Sequence, residues 1–501
     1  MSQIKKLAGQ TAYYGISSIL GRVLNFLLLP IWTDRLIDAE YGVVSYIYAS
    51  VALCLIIYTY GMETAFFRFT SKEGGKDIFN SAATSILITS TLLSGFLFVQ
   101  SKGVASFLGK GVLPEYVQYL ALILFIDAIV AIPFAKLRLE EKALKFAVIR
   151  TSVITITILL NLLFLVVFPD ILKGNYLTGL GDLVNKIYKP EQNISYIFIS
   201  NLAANTLYIP FLYQELFSIR LKVNWVLFKK MLVYALPIFL MGLGGMLNEQ
   251  GYSLILKNIP IDPKIASSSE AALGKFSSVF KLSVIMMLGI QAFRYAAEPF
   301  FFSHADNREA PELFSKVMHY FVSFNIVLLV GVALNVELIS DIFLRRPEYK
   351  EALYVLPILL LAKLLYGVYV NLSVWFKIKD KTIFGTYFAL IGAIITVAGN
   401  LLLIPILGYY GSAIASLVCY ATMSILCWQQ GRRYFKVPYK FAPLLVYLII
   451  ALAIIYLSGL VTIESRWLRY GYNLVLSLLF VLFMFKKEGR KINYKTNKVN
   501  D

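Results

Sequence analysis

Long apolar runs recur along the chain, separated by short polar or basic segments. Each run approaches the roughly 20 residues that one helix needs to cross a hydrocarbon layer. Fourteen such stretches are readable, at approximately 11–33, 41–61, 81–101, 115–137, 146–168, 194–216, 229–256, 272–297, 316–338, 352–376, 383–406, 410–431, 441–461 and 466–485. The seventh and eighth are the most interrupted, by Gly, Asn, Glu, Gln and Lys. Pro30, Pro133, Pro210, Pro237 and Pro357 fall within stretches, where neighbouring helices satisfy the freed backbone groups. The runs are continuous, without the alternating polarity of a membrane β-barrel strand. The pattern therefore predicts an all-α integral membrane protein.

Composition narrows the reading. The 501 residues are 58% hydrophobic and only 15% charged, against roughly 25% charged in an ordinary soluble domain. A soluble enzyme, a disordered chain and a disulfide scaffold are excluded. Cys54, Cys419 and Cys427 lie in apolar runs and read as small core residues. His304 and His319 have no partner at metal-ligand spacing. Lys5 and Lys6 lead into the first stretch with no small-residue cleavage site, so that stretch is expected to remain as a helix. Between stretches, only residues 169–193 leave room for a surface helix, and no soluble domain fits.

Charge supplies the topology. There are 47 Lys+Arg against 29 Asp+Glu, a net charge of +18. Assigned to alternate loops, about 30 basic residues fall on one side and about 13 on the other. The richer side holds Lys136–Arg150, Arg432–Lys440 and the tail from Lys486. Both termini are expected in the cytoplasm, which requires an even number of helices. Topology accounts for most of the net charge, and nucleic acid binding recedes.

An internal repeat is visible. KALKFAVIRTSVITITILLN from Lys142 matches KTIFGTYFALIGAIITVAGN from Lys381 at an offset of 239. The second stretch opens YGVVSYIYASVALCL and the eighth LGKFSSVFKLSVIMM, at an offset of 232. Each places Gly, then Ser three on, then an aromatic residue three further. Near-equal offsets point to a duplicated six-helix unit in parallel orientation. The expected division is a first bundle over 1–220, a second over 221–436, and two added helices with a basic tail over 437–501.

Charged groups inside the stretches mark candidate function, because each costs about 2.5–3.5 kcal/mol on insertion scales. Arg22 lies mid-stretch with Asn25 close by, and Asp127 lies in the fourth stretch. Asn248 and Glu249 interrupt the seventh, Lys275 and Lys281 the eighth, and Lys363 lies in the tenth. Lys275 and Lys281 are six apart and do not share a helix face; the plainer expectation is that they snorkel or pair with Glu249. The set is more cationic than anionic. Guanidinium and ammonium groups suit a phosphate or pyrophosphate, whereas a site for organic cations would carry acidic or aromatic walls. The 33 Tyr fall mainly near stretch ends, as in an interfacial belt.

Three segments carry a family resemblance: SSILGRVLNFLLLPIWTDRLIDAEYGVVSYIYA, QAFRYAAEPFFFSHA and NLLLIPILGYYGSAIASLVCYATM. With the 6+6+2 arrangement and the basic interior, the chain resembles the multidrug/oligosaccharidyl-lipid/polysaccharide (MOP) exporter superfamily. Within it, the chain is similar to bacterial polysaccharide or O-antigen flippases. The resemblance implies a MATE-like pair of bundles working by alternating access in the bacterial inner membrane. It implies export of an undecaprenyl-pyrophosphate-linked oligosaccharide from the cytoplasmic to the periplasmic leaflet, without a cofactor beyond a coupling proton or sodium ion. Partners would be the lipid-linked oligosaccharide, membrane lipid and other polysaccharide-assembly proteins.

Residue by residue, Arg22 matches a basic residue of the family's first helix, and Asn248-Glu249 a polar pair of its seventh. Where relatives carry an Asp-Arg pair, this chain reads Gln250-Gly251-Tyr252-Ser253. The expected roles are pyrophosphate or cavity contacts for Arg22, Asn25, Lys275, Lys281 and Lys363. Coupling or charge pairing falls to Glu249, Asn248 and Asp127. A peptidoglycan lipid-precursor flippase or a cation-coupled drug antiporter would share the fold. A membrane glycan polymerase or ligase is the alternative of another class, and it lacks support in the short loops.

Overall fold

The computed structural model describes residues 19–73, 76–305 and 307–497. Regular structure among them is helical throughout. In chain order the main helices are α1 (Leu29–Arg35), α2 (Asp38–Ser71), α3 (Lys76–Val99), α4 (Pro114–Leu139), α5 (Ala143–Leu172), α6 (Asn193–Thr206), α7 (Trp225–Leu256), α8 (Ser269–Leu282) and α9 (Val284–Ser303). There follow α10 (Ala310–Leu334), α11 (Pro347–Ile378), α12 (Ile383–Leu407), α13 (Tyr409–Tyr434), α14 (Phe441–Leu460) and α15 (Arg466–Glu488).

Among the described residues, 11 helices are long and apolar enough to cross a membrane, or 12 if α8 and α9, bent by 43°, form one span. Of the fourteen expected spans, this number is found among the described residues. Two of the expected stretches account for the difference. The first begins before residue 19, outside the described residues, and continues as helix over 19–26 and α1. The sixth is broken after α6 into the short helices Tyr208–Phe211 and Tyr213–Phe217. Pro210, which has no amide hydrogen to give the ladder, lies within that break. Segment 169–193 does hold a short surface helix, Gly181–Ile187, with Leu183 and Ile187 exposed.

The spans are apolar around most of their circumference, as helices bathed in lipid must be. Leu402, Ile406, Leu457 and Leu482 are all exposed on the outside. This is a multi-pass membrane protein. Its helices group into two compact units that do not follow chain order: Met1–Ser278 with Ile383–Ala415, and Val279–Thr382 with Ser416–Asp501.

In the first unit, α7 lies along α12 over its most extensive helix contact. Small residues permit the approach. A Cβ on Gly244 would come within 2.9 Å of the Ala389 carbonyl, whereas one on neighbouring Gly245 would meet nothing within 4 Å. The Asn248 amide donates to the Ala389 carbonyl at 3.2 Å, and Thr386 Oγ1 donates at 3.4 Å to the carbonyl of Pro237 inside α7. On α5, Asn161 donates back to Thr157 O at 2.8 Å and accepts from Trp32 Nε1 at 3.0 Å. On α12, Asn400 donates to Thr396 O at 2.7 Å. Thr157/Asn161 and Thr396/Asn400 are separated by the same offset of 239 as the sequence match around them.

In the second unit, α10 packs against α11, α14 and α15. Phe301, Phe314 and Phe435 stack edge to face or tilted at one end. Toward the other end, Asn335 donates to Ser477 Oγ at 2.9 Å, and Asp341 receives Lys350 and Tyr470. Those two donors hold the Asp341 carboxyl below its ordinary range despite the desolvation that opposes them.

The glycine pair in α7 gives a direct test of packing. Gly244→Ala should lower stability by about 1–3 kcal/mol through overpacking. Gly245→Ala should be neutral or stabilising by up to about 1 kcal/mol. Thermal midpoints in detergent check both; equal midpoints would contradict the packing of α7 on α12.

Candidate functional site

In the first unit the backbones of α2 and α8 approach each other closely where they cross. The crossing is built from the two helices' own glycines. A Cβ on Gly42 would lie 1.9 Å from the Glu270 carbonyl oxygen, and one on Gly274 would lie 1.8 Å from the Asp38 carbonyl oxygen. Any side chain at either position would force the helices apart. The two glycines are the pair aligned by the repeat at an offset of 232.

Four charged side chains surround this crossing. Lys275 Nζ, one residue beyond Gly274, stands 3.8 Å from Asp38 Oδ2 at the start of α2. Lys257, just past the end of α7, stands 4.0 Å from Glu270 Oε1 at the start of α8. Lys257 Nζ also donates to the Leu108 carbonyl at 2.8 Å and lies 4.7 Å from the centre of the Tyr46 ring. Burial lowers the Lys257 ammonium from its ordinary range, and Glu270 opposes the shift. Lys257 and Lys275 are only 5% and 6% exposed, so each carboxylate answers a cation with little access to solvent. Unit charges 4 Å apart attract by about 4 kcal/mol at an effective dielectric of about 20, before desolvation is subtracted. The crossing is therefore neutral as a whole and held at both flanks.

The structure distributes the expected site residues as follows. Lys275 stands beside Asp38. Glu249 is half-buried and makes no ion pair among the described residues. Asn248, one residue away, is buried and anchored to α12. Asp127 accepts from Asn205 Nδ2 at 2.9 Å, tying α4 to α6. Arg22 and Asn25 are exposed on helix 19–26, which packs so closely that a Cβ on Gly21 would come 2.8 Å from Ile154. All of these belong to the first unit.

Lys281 and Lys363 belong to the second. Lys363 is 3% exposed, with Nζ 4.4 Å from the centre of the Phe280 ring and 5.9 Å from that of Tyr420. Ring faces recover about 2 kcal/mol for a desolvated cation, a substantial part of the insertion cost. Phe280 adjoins Lys281, so the two lysines are brought to the same end of α8. The two units thus divide the expected cations.

Asp38, Lys257 and Glu270 were not among the expected residues, yet they carry a signal. DAEYG at 38–42 and EAALG at 270–274 each set a carboxylate four residues before the glycine and an alanine three before it. Extending the repeat by one turn toward the N-terminus reaches both acids.

This architecture matches that of known transporters. The lipid II flippase MurJ, in an inward closed conformation, aligns with a TM-score of 0.72 over 95% of this chain and 98% of that one, at 12% identity. The chain shares that flippase's fold. An inward-facing multidrug resistance MATE family transporter aligns with a TM-score of 0.60 over 83% of this chain and 96% of its own, at 15% identity. A MOP superfamily transporter from Pyrococcus furiosus gives 0.56 over 85% and 95%, at 14% identity. In sequence, the family described as "Polysaccharide biosynthesis protein" matches residues 35–176. No curated protein matches the sequence. The MATE-like all-α fold expected from the sequence is thus found.

A double-mutant cycle tests the ion pair at the crossing. Lys275→Met and Asp38→Asn should each lower the thermal midpoint, while the double variant should recover part of the loss, with a coupling of about 0.5–3 kcal/mol. Additive losses would show that the two side chains do not interact.

Proposed function

We propose that this protein is a flippase for a lipid-linked saccharide, working by alternating access in the bacterial inner membrane. The observation that carries the proposal is the alignment with the lipid II flippase over nearly the full length of both chains. Buried cations inside apolar spans support it, since the lipid carrier's pyrophosphate needs ammonium or guanidinium partners. The reading as a transporter rather than a glycan polymerase or ligase rests on the same alignment.

In this reading the duplicated bundles are 1–220 and 221–436, with 437–501 appended. The α2–α8 crossing is a gate that shuts one end of the transport path. Asp38–Lys275 and Glu270–Lys257 close it, and breaking them opens it. Arg22, Lys281 and Lys363 hold the pyrophosphate, with Asn25 beside Arg22 and Lys275 released to join them when the gate opens. Glu249, unpaired by any cation among the described residues, takes up a coupling proton or sodium ion, with Asn248 and Asp127 holding the helices around it.

The saccharide divides two readings. A peptidoglycan precursor is the first, favoured by the MurJ-like fold. An O-antigen, capsule or exopolysaccharide unit is the second, favoured by the polysaccharide biosynthesis match over 35–176. Complementation separates them. Expression in a strain depleted of its lipid II flippase should restore growth under the first reading. In a strain lacking its O-antigen flippase, surface glycan should return under the second. Rescue of neither, with the protein present in the membrane, would contradict the proposal. Arg22→Ala at normal abundance should cut the rescuing activity at least tenfold; full activity would remove Arg22 from the site.

A further inference from the structure

Apart from the residues considered above, the second unit carries a pocket of about 750 Å³ between the start of α10 and the end of α13. Arg308, Arg432, Arg433 and Lys436 line it, with Glu312 as the one acidic residue on its wall. The wall therefore carries a net charge of +3. None of the four cations is ion-paired among the described residues. Their positive field is left for something outside the protein.

Two further observations say what kind of anion fits. The pocket lies where two spans end, Ala310 opening α10 and Tyr434 closing α13, which is headgroup depth for a spanning helix. It also borders a closely packed aromatic cluster of Trp375, Trp428, Phe435 and Tyr439, whose gap of about 10 Å³ admits no chain, and Arg432 and Val437 belong to both. Arg432 bridges the two chemistries, its guanidinium 5.1 Å from the Trp428 ring centre. Cations at headgroup depth, unpaired among the described residues and flanked by an aromatic ring, match an anionic headgroup whose apolar tails stay in the bilayer. A free phosphate would use the cations alone.

The matching place in the first unit sharpens the contrast. A pocket of about 510 Å³ lies between the start of α3 and the chain following α6, lined by Lys76, Lys136, Glu140 and Arg220 among others. There Glu140 takes up Lys136 at 4.0 Å and Lys142 at 2.7 Å. One of its cations is thus already engaged, which leaves the second-unit pocket the more strongly basic.

The geometry points to a binding site for the phosphate headgroup of an anionic membrane phospholipid in the pocket formed by Arg308, Arg432, Arg433 and Lys436. Guanidinium forks grip phosphate oxygens bidentately, and basic pockets between helices on the cytoplasmic side suit such headgroups. These residues fall on the side to which the distribution of basic loops assigns the cytoplasm. The site is independent of the transported saccharide, and it would stand if the transport reading failed.

Native mass spectrometry of the full chain from nanodiscs provides the test. In bilayers mixing phosphatidylglycerol, cardiolipin and phosphatidylcholine, the wild type should retain anionic lipid at least tenfold over phosphatidylcholine. Arg432→Gln/Arg433→Gln/Lys436→Gln should abolish that preference. Lys222→Gln/Lys229→Gln/Lys230→Gln, which removes the same charge elsewhere, should keep it. Should the triple variant not fold, Arg308→Gln/Lys436→Gln takes its place, with a severalfold loss expected. Retention of the preference by a folded pocket variant would overturn the proposal. So would displacement of the retained lipid by millimolar inorganic pyrophosphate, because that would make the site one for free phosphate.

Discussion

A buried charge in a membrane protein must be answered by another group or by water, and for Lys275 and Lys257 this fold meets that demand where α2 crosses α8. Gly42 and Gly274 let the two backbones touch, and that contact brings Asp38 to Lys275, while Glu270 of α8 faces Lys257 at the end of α7. The Asp38–Lys275 pair would not form if α2 and α8 stood a side chain further apart. The glycines and the ion pairs are thus one device: steric permission in the middle, electrostatic closure at the flanks. Its components come from the two halves of the sequence repeat, so the same short motif supplies both sides.

Such a contact suits something that must open. Ion pairs at about 4 Å lose most of their strength once water enters between them, while a crossing locked by interdigitated leucines would have to rebuild its packing. The contrast with α7 and α12 is informative. There the Gly244 approach is backed by Asn248 and Thr386 bonding to backbone carbonyls, and no charges take part. One contact reads as permanent and the other as reversible.

Much of this was legible in the sequence. Continuous apolar runs placed nearly every helix, because a bilayer demands about 20 apolar residues and tolerates little else. The offset of 232 placed Gly42 opposite Gly274, although it could not say that the two would touch. What remained hidden depended on distance. For Lys275 the sequence left snorkelling and pairing with Glu249 open, and Asp38, which faces it, lies more than 200 positions away and reaches it through a helix crossing. Asp38 and Glu270 lie at helix starts, just outside the apolar runs, so a search for charges within the runs passed over them. The sixth stretch looked whole because hydropathy does not register the breaks on either side of Pro210.

The fold, the buried cations and the charged crossing support one account, in which a lipid-linked saccharide passes along a path closed at the α2–α8 contact. Its most direct test is a reversible lock. With Cys54, Cys419 and Cys427 replaced by alanine, cysteines at positions 38 and 275 would be joined by a short, reducible cross-linker in proteoliposomes. Transfer of an undecaprenyl-pyrophosphate-linked saccharide between leaflets would then be followed. The account predicts that the transfer left by Asp38→Cys/Lys275→Cys stops on cross-linking and returns to that level on reduction. Transfer that continues unchanged across a fully cross-linked sample would contradict it.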